Sequence, residues 1–224
     1  MRVAAAIGVV VLCAAVTGWH LRPLVESPAP RTMQVVGVGP VRHPDFERID
    51  NVLAERAPGW GIELREHVSQ AIAEESQRAG LDPLLVLALI EVESEFRQGA
   101  TSVVGARGLM QIRPATLEWV AHREGIKLTL GELQADPSLN VRLGVRYLKY
   151  LKELFRGRMD LTLMAYNAGP NKLVAGLKAR QTSPWQNYVR AVQREYTALK
   201  LAHGEFDEGT VASRETFGVM GDVR

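Results

Sequence analysis

Three glutamates alternate along one predicted helix, and only one of them is placed for acid–base chemistry. Neighbours among Glu91, Glu93 and Glu95 lie about 200° apart at 100° per residue, so the outer two cannot share the face of Glu93. Glu93 instead continues the apolar line of Val86 and Ile90. A carboxyl at the end of an apolar row should be partly desolvated, which raises its pKa and suits it to donate a proton near neutral pH.

The elements that must position Glu93 are predicted to be helices. Helix starts are indicated where a capping aspartate precedes a proline or where a proline opens an apolar row at helical spacing. These signals stand at Asp82-Pro83, Pro114, Asp136-Pro137 and Pro184, and a further helix over 161–168 stops at Gly169-Pro170. Because no convincing alternating strand occurs among them, we expect a mostly α domain.

The 224 residues divide into four predicted segments. Residues 1–19 begin with Met-Arg and continue as an uncharged, mostly apolar stretch, which indicates a secretory signal peptide or an uncleaved signal anchor. Six prolines without a sustained period predict a linker over 20–59. The helical domain is expected at 60–202, and 203–224 reads as a polar C-terminal tail.

Composition narrows the classes of function. A net charge of +2 without a basic, aromatic-rich stripe argues against a nucleic-acid-binding protein. A single cysteine, Cys13, excludes an intramolecular disulfide and a cysteine-rich metal site, and a bulky Leu12 before it disfavours a lipid anchor. The five histidines lack ligand-like spacing. We therefore expect no metal and no cofactor.

Four separated motifs give the chain a family resemblance. They read ALIEVESEF from Ala88, GARGLMQIRPAT, DPSLNVRLGVRYL and AYNAGP, in that order. Together they resemble the catalytic domain of the soluble lytic transglycosylases, the glycoside hydrolase family 23 group related to goose-type lysozyme. The resemblance covers roughly residues 70 to 200 and implies a lysozyme-like helical fold.

By that resemblance Glu93 matches the catalytic acid. The residues that match substrate-binding positions are Ser94, Met110, Gln111, Tyr166, Asn167 and Tyr188. Asn140 and Gly144 also match, and we interpret them as structural, at a helix start and a close helix crossing. The sequence departs from the common pattern at Val92, Arg113 and Asn171 and before Tyr188, where Pro184-Trp185-Gln186 replaces an acidic residue and a threonine.

The resemblance implies a peptidoglycan lytic transglycosylase that cuts the bond between N-acetylmuramic acid and N-acetylglucosamine and forms a 1,6-anhydro ring. The implied setting is the periplasm, free or anchored to the inner membrane, where the chain could serve a secretion or cell-envelope complex. Two alternatives stay open: a lysozyme-type hydrolase, and a non-catalytic glycan-binding module. A hydrolase would need a second carboxylate, and Asp136 and Asp160 lie outside the recognised motifs.

Overall fold

The computed structural model describes residues 43–204. Within that range the chain folds into helices and contains no strand, only isolated bridges that join Arg107 to Thr101 and to Ile112. The helices are α1 (Phe46–Arg56), α2 (Ile62–Ala79), α3 (Pro83–Ser94), α4 (Pro114–Arg123), α5 (Leu130–Ala135), α6 (Pro137–Leu154), α7 (Met159–Ala168), α8 (Pro170–Lys178) and α9 (Ser183–His203). This confirms the mostly α fold class.

Helix α3 is the centre of the domain. Every residue from Pro83 to Ile90 is buried. A helix that is apolar on all sides is stable only when other helices surround it. Helix α9 packs along α3, α2 packs against both α3 and α6, and α7 packs against α6 and α9. The end of α3 is therefore held by the core of the fold rather than by a surface loop.

A buried ion-pair network joins α2 to α6. The Glu75 side chain is 1% exposed, and Arg146 of α6 donates to both of its carboxylate oxygens at 2.7 and 3.1 Å. Arg78 also pairs with it from one turn away. These hydrogen bonds keep the pKa of Glu75 below its ordinary value, although burial alone would raise it. The charge is thus satisfied inside the fold.

The linker prediction for 20–59 is wrong over its last part. Helix α1 occupies Phe46–Arg56 and buries Ile49 and Leu53 in the same core as α3. Pro44 and Pro58 flank this helix without interrupting it, and the apolar spacing between them is helical. The folded domain therefore begins before residue 60.

The predicted helix starts at Pro83, Pro114 and Pro137 are confirmed, and the predicted stop at Gly169 ends α7. The predicted signal or anchor at 1–19 and the tail beyond residue 204 lie outside the described residues. Among the helices of 43–204, none combines the length and the apolar character needed to cross a membrane.

Candidate active site

Glu93 is the penultimate residue of α3. At the other end of this helix the Asp82 side chain accepts a hydrogen bond from the Leu84 amide at 2.9 Å, so the helix register is fixed from its start. The helix stops directly after the site because Glu95 and Phe96 adopt left-handed backbone angles, with φ of 51° and 56°. Glu93 is thus carried to the edge of the core by a rigid, well-terminated helix.

Burial sets the protonation state of Glu93. Loss of solvent raises the pKa of its carboxyl from 4.5 to about 7, and the hydrogen bond from Tyr188 opposes part of that rise. The Tyr188 hydroxyl, on α9, donates to Glu93 Oε1 at 2.6 Å. Residues 95 positions apart therefore meet at one carboxyl, which is poised to lose or gain a proton near neutral pH.

Gln111 lines the cleft from the loop between α3 and α4. Its side-chain amide donates to the carbonyls of Ala100 and Gly108 at 3.0 and 2.9 Å. The Gln111 backbone has a φ of 46°, a left-handed angle that is rare for a residue with a side chain. The amide nitrogen therefore ties two parts of the loop together, and the side chain still borders the cleft.

Tyr166 and Asn167, at the end of α7, both line the cleft. The Tyr166 hydroxyl donates to the carbonyl of Met110 at 2.8 Å, which connects α7 to the loop that carries Gln111. Asn167 is exposed, so its amide is accessible to a ligand. Tyr166 therefore supports the wall of the cleft, whereas the side chain of Asn167 is exposed to solvent.

Three predicted substrate-binding residues are absent from the cleft lining: Ser94, Met110 and Tyr188, of which Tyr188 contacts the site through its hydrogen bond to Glu93. Ser94 is 1% exposed, and its hydroxyl donates to the Ile90 carbonyl at 3.1 Å. The Met110 side chain is fully buried and packs on Gly144 of α6. Ser94 and Met110 were predicted from their match to the family motifs, but the side chain next to a site residue along a helix or in a tight turn points elsewhere.

Asn140 and Gly144 are structural residues: Asn140 lies in the first turn of α6, at the predicted helix start, whereas Gly144 does not mark the predicted helix crossing. Asn140 lies inside α6, where its Oδ1 accepts from the Met110 amide at 2.9 Å and its Nδ2 donates to the Arg107 carbonyl at 3.1 Å. A side chain at Gly144 would collide with Met110. Both residues hold the loop of residues 107–112, and Gly144 leaves room for that loop rather than for another helix.

The cleft beside Glu93 has a volume of about 330 Å³. Its lining also includes Arg113, Thr116 and Tyr147, which the sequence argument did not assign to the site. Tyr147 lies on α6 and packs against the core, and Arg113 was noted in the sequence only as a departure from the family pattern. The full lining is Glu93, Ser102, Val104, Ala106, Gln111, Ile112, Arg113, Thr116, Tyr147, Tyr166, Asn167, Ala168, Gly169 and Pro170.

Glu93 is the one carboxyl group in that lining among the described residues. Asp136 caps α6 by accepting from the Ser138 amide at 2.8 Å, and Asp160 pairs with Arg158 at 2.7 Å. Neither reaches the cleft. Across residues 43–204, no three His, Cys, Asp or Glu side chains cluster in a way that could hold a metal ion.

The fold and the site define a class: a helical domain with an open cleft that one carboxyl group, that of Glu93, lines among the described residues. Residues 70–189 match the family described as the Transglycosylase SLT domain, which is more than half of the chain. The protein belongs to that family.

Proteins similar to this chain are named as lytic transglycosylases. The chain is 35% identical over 89 residues to the soluble lytic murein transglycosylase of Escherichia coli K12, covering 39% of this chain and 14% of that protein. It is 35% identical over 157 residues to membrane-bound lytic murein transglycosylase C of Mannheimia succiniciproducens, covering 63% and 42%. An inactive glutamate-to-glutamine variant of lytic transglycosylase Slt from Pseudomonas aeruginosa superposes with a TM-score of 0.55, at 25% identity, covering 72% and 31%.

These figures have two consequences. The structural match confirms the lysozyme-like helical fold that the sequence motifs implied. The chain spans less than half the length of each of these three proteins, so the likeness concerns one domain of larger molecules.

Proposed function

We propose that this protein is a peptidoglycan lytic transglycosylase in which Glu93 is the acid and then the base. The observation that carries the proposal is a lone cleft carboxyl whose pKa of about 7 lets it hold a proton at neutral pH and also release it. The related Pseudomonas enzyme is inactive as a glutamate-to-glutamine variant, which supports a mechanism that depends on one glutamate.

The first step is the cleavage of the glycosidic bond. Glu93 donates its proton to the oxygen that links N-acetylmuramic acid to N-acetylglucosamine, and the bond from that oxygen to the anomeric carbon breaks. The muramyl N-acetyl carbonyl oxygen attacks the anomeric carbon and takes the place of a protein nucleophile. The carboxylate pair that ordinary glycosidases use is thereby replaced by one protein carboxyl and one substrate group.

The second step closes the ring. The 6-hydroxyl of the same muramyl residue attacks the anomeric carbon, the bond to the N-acetyl oxygen breaks, and the Glu93 carboxylate accepts the hydroxyl proton. The product is 1,6-anhydro-muramic acid, no water is consumed, and Glu93 returns to its protonated form. The hydrogen bond from Tyr188 at 2.6 Å stabilises the carboxylate between the two steps.

The test is a digest of purified peptidoglycan by the full chain, with products read by mass spectrometry. We expect muropeptides that end in the anhydro ring, no products from Glu93→Gln, and wild-type products from Glu95→Gln. Glu95 is a matched control because it lies only two residues from Glu93, yet its side chain is exposed and outside the cleft lining. Products heavier by one water would make the protein a hydrolase, and turnover by Glu93→Gln would overturn the role of Glu93.

We also propose that the domain works outside the cytoplasm, on the periplasmic side of the inner membrane. The charged start and apolar core of residues 1–19 support export, and one related protein is named as soluble and another as membrane-bound. Alkaline phosphatase fused after residue 42 should be active, because it needs the disulfides that form after export. An inactive fusion would contradict export, and the mass of the mature chain would distinguish cleavage from anchoring.

Residues 20–42 form, in this proposal, the tether that could join a secretion or cell-envelope complex. Co-purification of envelope proteins with the full chain, but not with a chain that lacks 20–42, would support such a partner. Equal recovery with both chains would contradict it.

A further inference from the structure

A second surface continues from the cleft along α4. Arg113, Thr116, Trp119 and Arg123 recur at intervals of three or four residues, so they lie on one side of this helix. We call these four residues the α4 stripe. It extends about 15 Å at 1.5 Å per residue, which is longer than one sugar ring. Its first two members line the cleft, and its last two lie beyond it.

Aromatic rings connect the stripe to the catalytic end of the cleft. Tyr166 lies 5.7 Å from Tyr147, and Tyr147 lies 6.3 Å from both Tyr150 and Trp119, measured between ring centroids. Trp119 also contacts Tyr150 edge-on at 4.8 Å. The rings therefore form an unbroken path from the wall of the cleft to the open surface of α4.

Trp119 is unusual among these rings because it is 41% exposed. Its two aromatic neighbours fix its orientation, so little side-chain entropy would be lost when a ligand covers it. A partly exposed indole braced by neighbouring rings offers an electron-rich surface to the C–H groups of a pyranose ring. Burial in the domain core does not account for this side chain.

The two arginines of the stripe have no carboxylate partner among residues 43–204. Arg123 lies over the rings of Trp119 and Tyr150, at 5.7 and 5.3 Å from their centroids. The acidic side chains beside it are already paired: Glu124 with Arg146 at 3.2 Å, and Glu153 with Lys149 at 3.9 Å. A guanidinium held beside aromatic rings and free of an internal partner is well suited to bind a carboxylate.

We propose that the α4 stripe binds a peptide-bearing stretch of the same glycan strand, at sugars beyond the bond that is cut. Trp119 stacks on a sugar ring, while Arg113 and Arg123 pair with carboxylates of the stem peptides. This inference rests on the proposed function, since it takes peptidoglycan as the polymer in the cleft. Continuity with the cleft favours a longer reach of that strand over an unrelated ligand.

The test compares long and short substrates. We expect Trp119→Ala to raise KM for long, peptide-bearing strands about tenfold, which corresponds to about 1.4 kcal/mol, and to leave KM unchanged for a fragment that fills only the cleft. Trp119→Phe keeps a ring and should recover most of the affinity. Leu201→Ala, an exposed apolar side chain on α9, is the surface control and should match the wild type.

A second arm separates sugar from peptide recognition. Arg123→Gln should weaken the binding of peptide-bearing strands but not the binding of neutral chito-oligosaccharides of equal length, and Arg194→Gln, at an exposed arginine on α9, should weaken neither. Equal KM values for wild type and Trp119→Ala on long strands would overturn the stripe while leaving the proposed function intact.

A binding assay keeps the two proposals separable. Sedimentation with insoluble peptidoglycan is measured for Glu93→Gln alone and for Glu93→Gln with Trp119→Ala, so no cleavage is needed. Weaker pelleting of the double variant supports the stripe, and equal pelleting overturns it. If the wild-type chain released no fragments, the proposed function would fail, and this comparison would still decide whether the stripe binds the strand.

Discussion

The hydrogen bond between Tyr188 and Glu93 makes a quantitative prediction about pH. Burial raises the pKa of Glu93 to about 7, and the Tyr188 hydroxyl holds it below the value that burial alone would give. Tyr188→Phe removes the hydroxyl and keeps the ring. The carboxylate form then loses its donor, so the pKa of Glu93 must rise further.

The size of this rise follows from the energy of the bond. A hydrogen bond to a charged group contributes about 1.5 to 3 kcal/mol, and water can replace part of it after the substitution. One pKa unit corresponds to about 1.4 kcal/mol, so we expect the pKa of Glu93 to increase by about one pH unit or slightly more.

The assay is the pH dependence of kcat/KM for peptidoglycan cleavage. Glu93 must be protonated to act as an acid, so wild-type activity should fall as the pH rises through about 7. In Tyr188→Phe the decrease in kcat/KM should occur about one pH unit higher, whether or not the maximal value of kcat/KM also changes. A carbon-13 NMR titration of the Glu93 carboxyl measures the same change without substrate.

Tyr166→Phe is the matched control for this experiment. The Tyr166 hydroxyl donates to the Met110 carbonyl and not to Glu93, so its loss should lower the maximum without moving the basic limb. A basic limb that stays in place in Tyr188→Phe, or that moves to lower pH, would refute the assigned balance between burial and hydrogen bonding.

Three further predictions concern stability, each measured by urea unfolding. The free energy of unfolding of Glu93→Gln should match that of the wild type at pH 4 and exceed it by about 3 kcal/mol at pH 8. The reason is that the Glu93 carboxyl ionises above pH 4.5 in the unfolded chain, whereas in the folded chain it stays protonated up to about pH 7. Equal stability at both pH values would contradict its burial. Gly144→Ala should cost about 1 to 3 kcal/mol through collision with Met110, whereas the control Gly131→Ala, on the exposed face of α5, should cost nothing. Glu75→Ala should cost about 3 kcal/mol at pH 7, because Arg146 loses its buried partner and keeps only the more exposed Glu124. The cost should shrink as the pH falls below 4.5, since the folded pKa of Glu75 is lowered. A cost that does not depend on pH would argue against the ion pair.

Local signals were sufficient to predict most helix boundaries. An aspartate followed by proline supplies both a side-chain cap and a preset backbone angle, so the starts of α3 and α6 are determined by two residues each. The apolar row that ends at Glu93 likewise predicted its partial burial. Helix α1 was missed because the surrounding prolines dominated the interpretation, although its own apolar spacing was helical.

Contacts between distant segments could not be predicted from such signals. The Met110 side chain points into α6 because Gly144, 34 positions away, leaves space there. The path of rings from Tyr166 to Trp119 depends on how α4, α6 and α7 pack, and no local pattern encodes that packing. Before the fold was known, only the match to the family motifs predicted that Tyr188 belongs to the same site as Glu93.

The distance in sequence between Glu93 and Tyr188 has a consequence for folding. A chain that ends before α9 could form α2, α3 and α6, but the acid would lack its hydrogen-bond partner and the packing of α9 along α3. Bringing segments this far apart together requires loop closure, which slows folding. The hydrogen-bonded acid is therefore complete only once α9 has packed along α3, and a partly synthesised domain lacks the group that lowers the pKa of Glu93.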